Sequence, residues 1–337
     1  MAYAGGLGSQ IGWAPEVTYG TASTPTAWLE AKKQSLDLKV EHMMSPALQA
    51  SLRVQRADRF VVNKKGVTGD IELDIMSNTM ARWLIYAMGD SRSMSSIKSG
   101  STAYTYAMQL GDPTSLGAMT IQTGISDIGG NVRRMDATGC FITDFTLSNQ
   151  VDGLLEGKFS VDGRDYTPSA SAVTSASYSA TSEVLSYAGG AISIGGSSVP
   201  VRSYDLTVKH GYDTSRYQIQ NNTLKSQPVI NALDDITLKV SLEFGADSPT
   251  WATNDLMTKY RAGTTLSNVQ GQWTGTTAIT GSTYPALTAL VPKAVITSAT
   301  PQFSGPELVI LDVELRALYD GTNQPLQLTY VTNENLS

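Results

Sequence analysis

One cysteine, Cys140, occurs in 337 residues, so no disulfide framework can form within the chain. Cys140 lies in the apolar run Cys140-Phe141-Ile142 and reads as a small core residue. Only two histidines are present, His42 and His210. Neither has a second His or a Cys at ligand spacing, which argues against zinc; no cofactor or metal is expected. Charged residues make up 16%, against roughly a quarter in an average soluble protein, and Ser, Thr, Gly and Asn fill the difference. That exchange suits sheet faces that meet other protein. The net charge is −6, and no Lys/Arg block is long enough to grip phosphates. No apolar run approaches the ~18 residues of a membrane span. The start, Met1-Ala-Tyr-Ala-Gly-Gly-Leu-Gly, lacks the basic and apolar regions of a signal peptide. The expectation is a cytoplasmic product, soluble and away from membranes.

Enzyme signatures are missing too. There is no Gly-x-Ser-x-Gly elbow, no phosphate-binding Gly-x-x-x-x-Gly-Lys loop and no dinucleotide fingerprint. Asp70, Glu72 and Asp74 alternate along one strand, about 7 Å apart, which sets carboxylates on a wet face without forming a sugar cleft. Asp162-Gly163-Arg164-Asp165 lacks the ligand pattern of a calcium loop and reads as a hairpin turn. The five Trp and fifteen Tyr are scattered, and Trp83 and Trp251 fall in expected helices. No catalytic residue is assigned, and the chain is not expected to be an enzyme.

What the sequence does have is period-two alternation. Leu36-Asp-Leu-Lys-Val-Glu41, Asp70-Ile-Glu-Leu-Asp-Ile75, Leu155 to Val161, Tyr204 to Lys209 and Ile236 to Phe244 each place apolar residues on one face. These are half-buried antiparallel strands. Leu308 to Leu318 is apolar at nearly every position and is expected to be covered on both sides. Two helices are expected. One runs Asn78 to Met88 with Asn78 as N-cap and Gly89 as stop; the other runs Thr250 to Arg261, stopped by Gly263.

Between 167 and 200 the chain is rich in Ser, Ala and Gly and reads as a joint. Its two sides resemble each other. Ser35-Leu-Asp-Leu-Lys-Val-Glu-His42 aligns with Ser203-Tyr-Asp-Leu-Thr-Val-Lys-His210, and each is followed by a long polar loop (43–65 and 211–231), a strand and a helix. The expectation is a tandem duplication: a first domain with its N-terminal arm over 1–166, the joint over 167–200, and a second domain with a C-terminal arm over 201–337.

Several stretches, taken in order, carry a family resemblance. They are Glu16-Val-Thr-Tyr-Gly-Thr21, Thr24-Pro-Thr26 with Trp28-Leu-Glu30, Tyr104-Thr-Tyr106 leading to Leu110-Gly-Asp112, Gly139-Cys140, Asp162-Gly-Arg164, and Asn323-Gln-Pro-Leu-Gln-Leu-Thr-Tyr330. The set resembles the major tail tube proteins of long-tailed bacteriophages (siphoviruses), with Ala27 where that family usually carries Arg. The resemblance implies an antiparallel β-sandwich or barrel with a short flanking helix. It also implies a structural virion protein whose rings stack into a hollow tail tube that conducts DNA into the host. The partners it implies are further copies of the chain, a tape-measure protein and tail-tip or terminator proteins. Genomic DNA would pass through without specific binding. A duplicated chain would need three copies per ring, an unduplicated one six.

On that reading Asp37, Glu41, Asp70, Glu72, Asp74, Asp205, Asp235 and Glu243 are candidates to line a negative lumen that repels phosphate. Arg53, Arg56, Arg59, Lys64, Lys65, Arg216 and Lys225 are candidates to reach the next ring from the two long loops. The competing reading is a β-sandwich adhesin or carbohydrate-binding module on a virion or cell surface, which would stay discrete and bind glycans.

Overall fold

The computed structural model describes residues 6–90, 97–99, 102–244, 256–301 and 305–336, and strands dominate it. The first part of the chain forms β1 (Gln10–Pro15), β2 (Ala27–Leu29), β3 (Ala31–Gln34), β4 (Asp37–Met44), β5 (Phe60–Asp74), α1 (Ala81–Met88), β6 (Ile97–Ser99), β7 (Ala103–Gln109) and β8 (Met119–Ser126). The long β9 (Val132–Gln150) follows, then β10 (Glu156–Gly163), β11 (Asp165–Ser169), β12 (Gly190–Ile194), β13 (Ser197–Ser198) and β14 (Ser203–Lys209). The remainder holds β15 (Tyr212–Asp213), β16 (Val229–Ile230), β17 (Asp235–Glu243), α2 (Leu256–Ala262), β18 (Thr265–Thr274), β19 (Ala286–Ala299), β20 (Ile310–Ala317) and β21 (Gln327–Thr332).

One layer is a run of eight antiparallel strands in the order β4-β5-β10-β9-β14-β17-β20-β19. The second layer carries β2-β1-β8-β9-β11 and β13-β12-β18-β19-β21-β7-β6. β9 and β19 take part in both layers. Each shifts register on the way, β9 at Thr143 against Ser160/Val161 and β19 at Thr297 against β20. A bulge adds twist and bends a strand, which lets one strand turn the corner between layers.

The alternation seen in the sequence is the burial pattern. In β17 Ile236, Leu238, Val240 and Leu242 are buried while the intervening residues face out. β20 corrects the expectation for 308–318: Leu311, Val313 and Leu315 are buried, Asp312, Glu314 and Arg316 are on the other face, and Leu308 is exposed. The acidic and basic residues within that run, more than its Leu and Val content, determined its one-sided burial.

α1 plugs the sandwich, with seven of its eight residues buried. Trp83 meets Trp13 edge-on at 5.2 Å and Phe159 at 5.6 Å, and Phe159 stacks on Phe145 at 6.1 Å. Gly89 closes the helix in the left-handed conformation (φ 68°), as expected. The N-terminal cap differs from the expectation. The helix begins at Ala81, whose N–H donates to the carboxylate of Glu334 at 3.0 Å, while the Asn78 side chain bonds its neighbour Thr79 and Ser179. The other expected helix survives as α2, followed by Gly263 at φ 63°; Trp251 and the residues to 255 lie outside the described residues.

Asp162-Gly163-Arg164-Asp165 is not a hairpin turn. β10 and β11 run on along the same edge of β9, and only Arg164 between them leaves the ladder.

Candidate assembly surfaces

The motif residues that carry the family resemblance converge although they lie far apart in sequence. The buried carboxylate of Glu16 accepts from Gly20 N–H at 2.6 Å, the Thr120 hydroxyl at 2.9 Å and Gly139 N–H at 2.8 Å. The Arg164 guanidinium lies over the Tyr19 ring at 5.3 Å and donates to the Tyr19 carbonyl. Gly139 has φ 64°, and a Cβ there would stand 2.7 Å from Arg164 Cβ and 2.9 Å from the Tyr19 ring. Only glycine fits. Cys140, fully buried beside this cluster, has its thiol pushed well up by desolvation. The cluster fastens the N-terminal segment to β8, β9 and β10 and offers no reactive group.

The outward face of the eight-stranded layer is a lattice of charges. Straight across the strands run Glu72, Lys158, Thr146, Thr207, Thr237 and Arg316 in one row, and Asp74, Glu156, Ser148, Asp205, Lys239 and Glu314 in the next. Asp70, Ser160, Asp144, Lys209 and Asp235 form a third. With Glu243 and Asp312, the rows hold ten carboxylates against four cations, a net −6 before the flanking Lys32 and Lys33 are added.

The expected lumen acids all lie on this layer, but most of them are paired. Lys158 holds Asp70 at 2.9 Å, Lys33 holds Glu72 at 3.2 Å and Lys32 holds Asp74 at 3.2 Å. Asp37 meets Lys39, Glu41 meets Lys64, Asp235 meets Arg316 and Glu243 meets Arg202. Partial burial pushes the Asp70 carboxyl up, and Lys158 and Ser160 more than offset this, so it sits below the usual carboxylate range. Asp205 goes the other way: burial raises it, and Lys239 offsets only part. Sequence reasoning missed Asp144, Glu156, Lys158, Asp312, Glu314 and Arg316. The alternation Asp312-Val313-Glu314-Leu315-Arg316 was the signal that would have found half of them.

The two long loops differ. β4 and β5 extend further than expected, so the first is a strand-based arm whose loop covers 45–59. Arg53, Arg56 and Arg59 are exposed on it, and Arg56 pairs with Asp58. So is a set of large apolar side chains: Met43, Met44, Leu48, Val54 and Val61 are each more than half exposed.

The loop 211–231 instead folds back on the chain. Lys225, 3% exposed, sets its ammonium 2.6 Å from Asp162 Oδ2. Tyr217 donates to the Lys65 carbonyl, Lys65 N–H donates to the Thr223 carbonyl, and Lys64 lies over the Tyr217 ring. Arg216 donates to the Gln227 carbonyl. Lys225 thus departs from its expected outward role, because its charge is consumed inside the chain. The two histidines diverge likewise. His210 is buried, with Nε2 2.8 Å from the Ala87 carbonyl, whereas His42 is exposed and stacks on Phe60 at 4.6 Å.

Trp13, Trp83 and Trp273 are in the core, so none of them forms a sugar platform. Among the described residues no group of three or more His, Cys, Asp or Glu is placed to hold a metal ion, and no helix is long and apolar enough to cross a membrane. The sequence model of the family described as phage tail tube protein matches residues 6–317. No curated protein matches the chain.

Proposed function

The chain belongs to the phage tail tube protein family and is a structural component of the virion tail, and from that premise we propose that three copies close each ring of the tube around DNA. One observation carries the stoichiometry. The four-strand unit β4-β5-β10-β9 is followed in the same sheet by β14-β17-β20-β19, joined in the same order. The second layer repeats as well: the order β2-β1-β8 answers β13-β12-β18, and β11 follows β10 along β9 as β21 follows β20 along β19. Even the register shift falls on a threonine in each unit, Thr143 and Thr297. This supports a tandem duplication whose first unit runs through β11 and whose second begins at β12, so that the joint is shorter than the 167–200 expected. Two units per chain make a ring of six units from three chains.

The size is consistent with that function. Eight strands per chain give 24 per ring; at about 4.8 Å between strands the wall has a circumference of about 115 Å and a backbone diameter of about 37 Å before strand tilt widens it. Side chains reaching ~5 Å inward leave room for a single duplex. Six chains would double the backbone diameter to about 73 Å.

The charged face would then line the channel, its ten carboxylates offset by the four cations of the rows and by Lys32, Lys33 and Arg202, a net −3 per chain spread as a lattice of pairs. Paired carboxylates retain a negative potential without presenting bare cations that would hold phosphate. The arm over 45–59, with Arg53, Arg56, Arg59 and its apolar residues, would contact the next ring. Tape-measure and tail-tip or terminator proteins would meet the same surfaces at the inside and ends of the tube.

The test is electron microscopy of tubes viewed end-on. Threefold rings of six matching units support the proposal. Tubes with six chains per ring keep the family's function and remove the stoichiometry, and discrete particles that bind glycans would return the adhesin reading.

A further inference from the structure

The joint is threaded into the first unit before it reaches the second. Leu185, fully buried, lies against the ends of β5 and β10: its N–H donates to the Ile75 carbonyl at 3.0 Å, and its own carbonyl accepts from Leu155 N–H at 2.8 Å. On either side of it Val184 bridges Met76 and Ser186 bridges Leu154, both antiparallel. Tyr187 N–H donates to the Gly153 carbonyl at 3.1 Å. A single 3-10 turn, Tyr187–Gly189, then brings the chain onto the end of β18 and into β12, and a Cβ on Gly189 would collide with the Thr274 carbonyl there.

The approach to β1 repeats this arrangement. A 3-10 turn, Gly6–Gly8, precedes β1 as Tyr187–Gly189 precedes β12. It lies on the end of β8, where Ser126 N–H donates to the Ser9 hydroxyl. The sequences match as well. Met1-Ala-Tyr-Ala-Gly-Gly6 aligns with Leu185-Ser-Tyr-Ala-Gly-Gly190, identical at Tyr, Ala, Gly and Gly, with an apolar residue leading both. Residues 183–187 serve the unit that precedes β12 in the chain. In a ring, the unit that precedes β1 is the second unit of the neighbouring copy.

That second unit lacks the matching cover. Just past β17 and just before β20, Phe244 N–H donates to the Val309 carbonyl at 3.0 Å, as Ile75 N–H past β5 donates to the Leu155 carbonyl before β10 at 2.8 Å. Ile75 and Leu155 are fully buried, whereas Phe244 and Val309 are half-buried and Leu308 is exposed. Among the described residues no segment lies across Val309 as Leu185 lies across Leu155. Strand ends left in this state offer apolar surface and backbone groups for another segment to take up.

We propose that the residues ahead of β1 in one copy lie across the ends of β17 and β20 in the preceding copy, doing between chains what residues 184–187 do within one. Counting from the shared Tyr-Ala-Gly-Gly, Ala2 stands opposite Leu308 as Ser186 stands opposite Leu154. Tyr3 N–H then meets the Glu307 carbonyl as Tyr187 N–H meets that of Gly153. This deepens the ring proposal and rests on it, because only a ring sets a second unit ahead of every β1.

The experiment is cysteine cross-linking in tubes assembled from the full chain. Ala2→Cys with Leu308→Cys should oxidise to a disulfide between chains, since directly opposed strand positions have Cα atoms ~4.5–5.5 Å apart, within disulfide reach. Non-reducing gels should show linked dimers and closed trimers. Ser186→Cys with Leu154→Cys reports the internal counterpart as the positive control, and Cys140 is buried and silent. Ala2→Cys with Leu154→Cys aims the same residue at the place the joint already fills, and should cross-link at least tenfold less. Threefold tubes in which Ala2→Cys and Leu308→Cys stay reduced, or in which the Leu154→Cys pairing is the better one, overturn the exchange and leave the ring standing. Failure of the unaltered chain to form threefold rings overturns the ring proposal beneath it. Amide hydrogen exchange gives a second reading without cysteines: Val309 should gain at least tenfold protection when the unaltered chain assembles, and should not gain it in tubes of a chain lacking residues 2–4. Equal protection in both refutes the exchange.

Discussion

Lys225→Met removes the ammonium that compensates Asp162, and the structure fixes how large the effect is. Asp162 is 7% exposed and Lys225 3%, with the two side chains in direct contact under the loop 211–231. Burial already pushes the Asp162 carboxyl up, and Lys225 is what offsets it. Breaking a buried pair from one side costs about 3–5 kcal/mol because a charge is left without a partner. At roughly 2–4 °C per kcal/mol for a chain of this size or somewhat smaller, the melting temperature of the unassembled subunit should fall on the order of 10 °C. The loss should depend on pH in a defined direction. An acid whose folded pKa lies above its unfolded value gives stability that is lost as pH rises through the folded pKa. In Lys225→Met the Asp162 pKa rises further, so the deficit against wild type should be smallest at or below the ordinary carboxylate pKa of about 4 and grow as pH rises toward 7. The double change Asp162→Leu with Lys225→Met should recover most of it, since an apolar pair of similar volume replaces a buried ion pair at little cost. Calorimetry or urea titration across pH reads all three. A Lys225→Met chain within ~1 kcal/mol of wild type at pH 7, with a gap that does not change with pH, would refute the reasoning that this pair is desolvated and fastens the loop.

Glu16→Ala should destabilise the subunit by about 2–4 kcal/mol, because it strips the acceptor from the Gly20 and Gly139 N–H groups and from Thr120 together; denaturant titration checks it, and a loss below ~1 kcal/mol contradicts the hub. Reversing Asp70, Glu72 and Asp74 to Lys should cost little stability, since the pairs they leave are exposed or half-exposed. Tubes should form and genome delivery should slow, and unchanged infectivity would count against a channel-facing lattice. Excising 46–58 should leave folded rings that no longer stack, read by electron microscopy; normal tubes would remove the arm from the ring-to-ring contact.

The strands were the most legible part of the sequence, because a sheet with one wet face writes its period directly into the chain, as β17 does over 235–243. Where composition was weighed in place of alternation, as over 308–318, the burial came out wrong. Contacts that depend on distant partners were invisible. Nothing near Asn78 signals that Glu334, more than 250 positions away, caps α1, and nothing near Lys225 signals Asp162. The Glu16 motif was recognised as a pattern, yet its physical content needed Gly139 and Arg164 brought beside Tyr19. The histidines are instructive. His42 and His210 end similar octapeptides, yet the octapeptides sit two residues apart in the sheet: Asp37 reaches Asp162 through Thr68 as Thr207, and not Asp205, reaches Arg316 through Thr237, and His42 is exposed where His210 is buried.

The join between β9 and β14 has a consequence for assembly kinetics. Because that seam lies within one polypeptide, its formation is a folding event, independent of concentration and governed by the high effective molarity of a tethered partner. On the proposed ring only every second seam requires an encounter between molecules. Closing a ring from three chains then scales with the third power of free subunit, where six separate units would need the sixth. Nucleation would persist at subunit levels too dilute for an unlinked ancestor, and each seam would be free to diverge in sequence from the other.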